Sequence, residues 1–303
     1  MYKSLLLLLF VSCCFGCNKS EETIFTGNSA PPYSEIPTLL VENYVNRIYI
    51  DLIGREPTDT EMSNDVSSLE SGVLSIAARN AVVDKLMEST VFLEGDTSYS
   101  HAYSKKVYED QKARFLDGAS EFDMYEQFYL YYGISVQDSA AGNMLSYEIN
   151  RIESEKMKLA IRSRNEYRLG QITIDEICSR MCFNVMYDDI NMNSFNFINA
   201  TFNDLFYRFP TEAELEQCYD PVDASIPGSL FGQSISNKSD YLEVLISNDE
   251  FAQGMIRWAY FTLLSREPST SELYFALQNY NPDNDIRTIQ KFIIVSDEYA
   301  GFN

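Results

Sequence analysis

The chain has 303 residues, in which 45 acidic side chains outnumber 23 Lys and Arg to give a formal charge of −22. That field repels nucleic acid, so no nucleic-acid partner is expected. With 21 Tyr, 19 Phe and 45% hydrophobic residues, the chain is expected to bury a substantial core rather than remain disordered.

From the N-terminus, Met1 to Gly16 carry Lys3 ahead of an apolar run from Leu5 to Phe15. This is the length of a secretory leader and too short to span a bilayer. Gly16-Cys17 resembles the junction of a bacterial lipoprotein signal, although Cys14 stands where that family usually has Leu, and Ser12-Cys13 offers a competing site. Cys17 is the expected lipidated residue, because the polar run Asn18 to Glu22 follows it and is similar to the surface-export signal of Bacteroidota lipoproteins. Residues 17–37, rich in Pro, Gly and Ser near their end, read as a tether. Outer-membrane anchoring at the cell surface, through lipid and without a transmembrane helix, is the expected localisation.

Beyond the tether the chain writes one motif three times: YIDLIGREPTDTEM at 49–62, FNDLFYRFPTEAEL at 202–215 and YFTLLSREPSTSEL at 260–273. In each, an apolar helix is predicted to end near Arg55, Arg208 or Arg266, and Pro57, Pro210 or Pro268 prevents its continuation. Thr58, Thr211 or Ser269 then opens the next helix, with Glu61, Glu214 or Glu272 completing a capping box. A second signature closes each unit: Leu86, Ser89 and Phe92; Leu245, Asn248 and Phe251; Ile293, Ser296 and Tyr299. Its spacing of three predicts one helical face. Met181, Asn184 and Tyr187 repeat it on a predicted helix from Ile174 to Tyr187. An all-α fold of helical repeats follows, divided as repeat 1 (38–95), a degenerate helical insertion (96–164), repeat 2 (165–254) and repeat 3 (255–303).

The segment Arg168 to Ile177, with Met181 to Tyr187 and then Phe202 to Leu215, resembles the phycobilisome linker domain, whose pattern runs from a Gly-Ile-Thr/Ser helix start to an Arg-Pro turn. The first and third copies are similar to a helical domain of unknown function found beside cytochrome-like modules in planctomycetes. The resemblance covers roughly half the chain and implies a helical scaffold that holds other proteins. It implies no haem here, because the ligands are missing from the sequence.

Two residue sets are candidates for function. The three arginines are suited to clamping carboxylate or phosphate, yet their recurrence favours an architectural role: capping the exposed carbonyls of the preceding helix. The stripe of Phe122, Tyr125, Phe128, Tyr129, Tyr131 and Tyr132 has helical spacing. Such stripes are more often core, but Phe122, Tyr125, Tyr129 and Tyr132 also make a candidate binding face for protein or glycan. The lone His101 and the three cysteines Cys178, Cys182 and Cys218 form no metal-ligand or haem-attachment pattern, so no metal or cofactor is expected. The sequence shows no Gly-x-Ser-x-Gly elbow, phosphate loop or His-Glu-x-x-His helix. The expected role is therefore a non-catalytic scaffold bound to an unidentified envelope protein, with glycan binding or processing as the alternative.

Overall fold

The computed structural model describes residues 32–280 and 285–302. The leader, Cys17 and most of the tether lie outside the described residues. Pro32 onward forms one compact unit with a continuous core. Among the described residues it is built from fifteen α-helices and one small β-hairpin.

The first unit comprises α1 (Thr38–Ile53), α2 (Asp59–Ser71) and α3 (Ile76–Glu88). Val41, Tyr44, Val45, Ile48, Tyr49 and Leu52 place a stripe of α1 inside the core, at the helical period the sequence displays. The insertion follows as α4 (Tyr99–Phe115) and a long antiparallel pair, α5 (Glu121–Ala141) and α6 (Met144–Arg168). The second unit holds α7 (Ile174–Cys182), α8 (Val185–Asn191), α9 (Ser194–Phe206), α10 (Glu212–Ala224) and α11 (Lys238–Ile246). Between α10 and α11 lie the antiparallel strands β1 (Gly228–Leu230) and β2 (Gln233–Ile235). Phe231 and Gly232 both take positive φ, as a tight hairpin turn requires. Three-residue strands are too short for alternation to be read from sequence. The third unit is α12 (Asp249–Leu264), α13 (Thr270–Tyr280), α14 (Ile286–Ile294) and α15 (Asp297–Ala300).

The closing signature is not one helical face. Asn184, Asn248 and Ser296 each sit between two helices and cap the second, accepting from the amides of Met186 and Tyr187, of Glu250, and of Tyr299 respectively. The predicted helix from Ile174 to Tyr187 is accordingly broken, with α7 ending at Cys182 and α8 starting at Val185. Competition from the short polar side chain for backbone donors explains the break. In the first unit Ser89 follows α3 with no helix after it, and Phe92 is exposed where Phe251 and Tyr299 are buried.

The units are closed on one another by buried polar side chains, Arg79, Tyr103 and Gln290. Arg79 of α3 has no solvent exposure, stands 2.8 Å from Asp297, and donates to the Tyr33 hydroxyl at 3.0 Å. Tyr103 of α4 donates to Gln290 of α14 at 2.6 Å. Helices α9 and α12 cross so closely at Gly254 that a Cβ there would overlap the Leu205 carbonyl.

Candidate interaction surface

The three Arg-Pro turns are built alike. In each, the residue before the arginine adopts the left-handed conformation: Gly54, Tyr207 and Ser265, with φ of 76°, 60° and 55°. Its amide closes the preceding helix on the carbonyl of Ile50, Asn203 or Phe261. The arginines therefore do not cap that helix, which corrects the expectation from sequence. Arg55, Arg208 and Arg266 each donate instead to the carbonyl of the following residue, Glu56, Phe209 or Glu267, at 2.9–3.1 Å. Each guanidinium also makes a two-pronged pair with the capping-box glutamate, Glu61, Glu214 or Glu272, at 2.7–2.9 Å. The same glutamate accepts the amide of Thr58, Thr211 or Ser269 at 2.7 Å, so arginine and helix start are locked together. The prolines Pro57, Pro210 and Pro268 lie between arginine and cap in every copy.

A second carboxylate completes each network and was not nominated from sequence: Asp96 at 2.6 Å, Glu250 at 2.5 Å and Glu298 at 2.5 Å. A signal for two of them exists. Asn248-Asp249-Glu250-Phe251-Ala252 and Ser296-Asp297-Glu298-Tyr299-Ala300 share one pattern, with the glutamate two residues after the cap. The first unit lacks that pattern after Ser89, and a loop carrying a Leu93–Thr97 bridge delivers Asp96 in its place. Ends of the preceding helices receive cations from elsewhere: Arg114 donates to the Asp204 carbonyl and Arg47 to that of Leu263.

These contacts set the ionisation of the glutamates. Burial opposes the charge on Glu61 and Glu214, but hydrogen bonds from arginine and cap amide outweigh it and hold each pKa down to about 2. For Glu272 the Arg266 bond is the largest influence, with the same result, about 2. Every nitrogen of the three guanidinium forks is thus directed at an internal acceptor. The turns form a frame, not a vacant anion clamp.

The aromatic stripe is on the surface. Phe122 is 72% exposed, Tyr125 43%, Tyr129 62% and Tyr132 52%, whereas Phe128 and Tyr131 are partly covered. The commoner core reading is corrected for the outer four residues. The helices explain it. Met124 and Ser135 are the buried residues of α5; Met124 accepts from the Tyr108 hydroxyl of α4 at 3.5 Å, and Asp138 accepts from Ser146 at 2.6 Å and Asn150 at 3.0 Å of α6. The exposed stripe lies one residue further round at Phe122, Tyr125, Tyr129, Tyr132 and Val136, in alternating steps of three and four. Exposed Leu145, Ile149, Ile152 and Leu159 follow a similar rhythm on α6. No residue from 136 to 153 is buried, so the loop end of the hairpin contributes nothing to the core. Tyr125 and Tyr129 stack with ring centroids 6.3 Å apart, and Phe128 and Tyr132 at 6.0 Å.

Among the described residues, no three His, Cys, Asp or Glu side chains are placed to hold a metal, and no helix is long and apolar enough to cross a membrane. Cys178, Cys182 and Cys218 are free and buried, and burial pushes the thiols of Cys178 and Cys218 up to about 12. Comparison of the chain with family models, curated proteins and solved structures finds no match.

Proposed function

We propose that this chain is a lipid-anchored envelope protein that holds another protein on its α5/α6 hairpin and performs no catalysis itself. The observation that carries the reading is the row of exposed apolar side chains from Phe122 to Val136, spaced as a helix partner would require. Large exposed apolar surfaces are unfavourable unless covered, and patches of this kind mark interaction sites. In this reading the lipid is carried by Cys17 and the tether lets the body stand off an outer membrane. The partner is an envelope protein presenting an amphipathic helix.

The glycan alternative draws on the stacked tyrosines. It is disfavoured because the stripe ends in Val136 and the hairpin also exposes Leu145, Ile149 and Ile152, which offer no ring for a sugar face and no hydrogen bond for its hydroxyls. The single tryptophan, Trp258, is buried.

The deciding experiment places a photo-crosslinking residue at Tyr129 or Tyr132 in intact cells, with exposed Phe209 as the control position. The reading expects one stoichiometric envelope protein joined at 129 and 132 but not at 209. Absence of a protein adduct, together with calorimetric binding of a polysaccharide that Tyr125→Ala with Tyr132→Ala abolishes, would transfer the function to glycan recognition. Anchoring is checked separately, since Cys17→Ser is expected to release the chain from membranes and remove acyl label.

A further inference from the structure

The body also holds a cleft of about 690 Å³ along α4, bounded by the end of α1, the loop at Gly95 to Thr97, Gly118 and the base of α6. Its charge is opposite to that of the chain. Five Lys or Arg side chains line it against three carboxylates, whereas two other clefts, lined by Asp175, Glu176, Glu243 and Asp249, and by Glu42, Asp59 and Glu70, contain acids alone among their charged groups. In a protein of net charge −22, such a reversal requires a local arrangement of cations.

Most of that charge is spoken for. Lys106 pairs with Asp110 at 2.5 Å, Lys112 with Glu109 at 2.5 Å, and Arg55 with Glu61 and Asp96. What remains is concentrated at one end. Lys105 forms no ion pair or side-chain hydrogen bond among the described residues. His101, four residues earlier on the same face of α4, makes no side-chain hydrogen bond there either. Arg164 enters from α6, holding Glu121 with only one terminal nitrogen, at 2.8 Å. His101 lies in the first turn of α4, whose dipole adds positive potential. Burial, then the charges of Arg168, Arg164 and Lys105, hold its imidazole below the usual histidine range, with Asp96 opposing. Lys105 and Arg164 repel one another at this end of the cleft with only Arg164 carrying a counterion, Glu121, and an anion between them relieves that repulsion.

We infer that this cleft binds a small organic oxyanion, its carboxylate, sulfate or phosphate group held between Lys105 and Arg164 with His101 beside it. The site is separate from the exposed stripe of the hairpin and does not depend on that stripe's partner. Gly95 and Gly118 border it with open space where side chains would stand, which leaves room for the body of the ligand.

The chain has a single histidine, so the imidazole resonances of His101 report on the cleft directly. The full chain is titrated with a uronic-acid trisaccharide, a sulfated disaccharide and a hexose phosphate, with a neutral trisaccharide as control. At least one acidic probe is expected to shift the His101 resonances and raise the imidazole pKa, and the responding probe identifies the oxyanion. Lys105→Glu, at an exposed position, is expected to keep the melting temperature, raise the His101 pKa without ligand, and weaken probe binding by about tenfold or more. An imidazole unmoved by all three acids up to roughly 10 mM overturns the inference. So does an equal response to the neutral sugar, or undiminished binding by Lys105→Glu.

Discussion

At single residues, the Arg-Pro turn shows which part of a motif is chemistry and which is conformation. The guanidinium, the proline, the hydroxyl cap and the glutamate are side-chain requirements, so they recur in all three copies and are legible in sequence. The left-handed residue before the arginine is a backbone requirement that glycine meets without strain, yet only Gly54 meets it so; Tyr207 and Ser265 occupy the same region. Ser265→Gly is therefore expected to stabilise the protein by ~1 kcal/mol, read as a raised denaturation midpoint with an unchanged slope. Arg55→Ala removes the donor shared by Glu61 and Asp96 and leaves two partly covered carboxylates without their cation. A loss of ~1–2 kcal/mol is expected in chemical denaturation. The second acid of each network escaped the sequence reading because contacts over 32 to 42 residues in the chain leave no local spacing to recognise.

At the level of elements, helix starts were readable and helix junctions were not. Asn184, Asn248 and Ser296 sit at a spacing of three from apolar neighbours, which is equally the signature of a continuous face and of a cap between two helices. Only the neighbouring packing decides between them. Helix pairing has its own sharp test at Gly254, where α9 and α12 approach backbone to backbone. Gly254→Ala must push them apart and is expected to cost ~2–3 kcal/mol, measured by thermal or urea unfolding. The capping boxes add a pH signature. Glu61, Glu214 and Glu272 have folded pKa values of about 2, below the ~4.3 of an unfolded glutamate. Their stabilisation is fully present above about pH 4.5 and is lost as pH falls through about 2. Burial holds Asp110 and Asp204 above the usual range, so their contribution has the opposite sign. A Glu→Gln change at each cap isolates the first effect: unfolding midpoints of variant and parent should converge as pH is lowered from 5 towards 2.

For the whole molecule, the distinction is between what is buried and what is left outside. Tyr129 and Tyr132 differ little in sequence context from Tyr49 or Tyr260, yet the first pair is exposed and the second buried. Replacing Tyr125 and Tyr129 together by alanine is thus expected to change stability by no more than ~0.5 kcal/mol per site while abolishing partner cross-linking through Tyr132. A larger loss in calorimetric unfolding would mean that the stripe is packed after all. The sequence by itself determined that the chain is all-α, that Arg-Pro turns and capping boxes recur three times, and that an apolar helix ends at each of those turns. These properties arise from neighbours within a few residues, where helix geometry and hydrogen-bonding chemistry act directly. Tertiary structure alone decided that the arginines reach Asp96, Glu250 and Glu298, that Arg79 ties Tyr33 to Asp297, that the aromatic stripe faces outward, and that Lys105 and Arg164 meet across one cleft. Each of these depends on segments brought together from distant parts of the chain, and periodicity along one helix carries no record of what another helix covers.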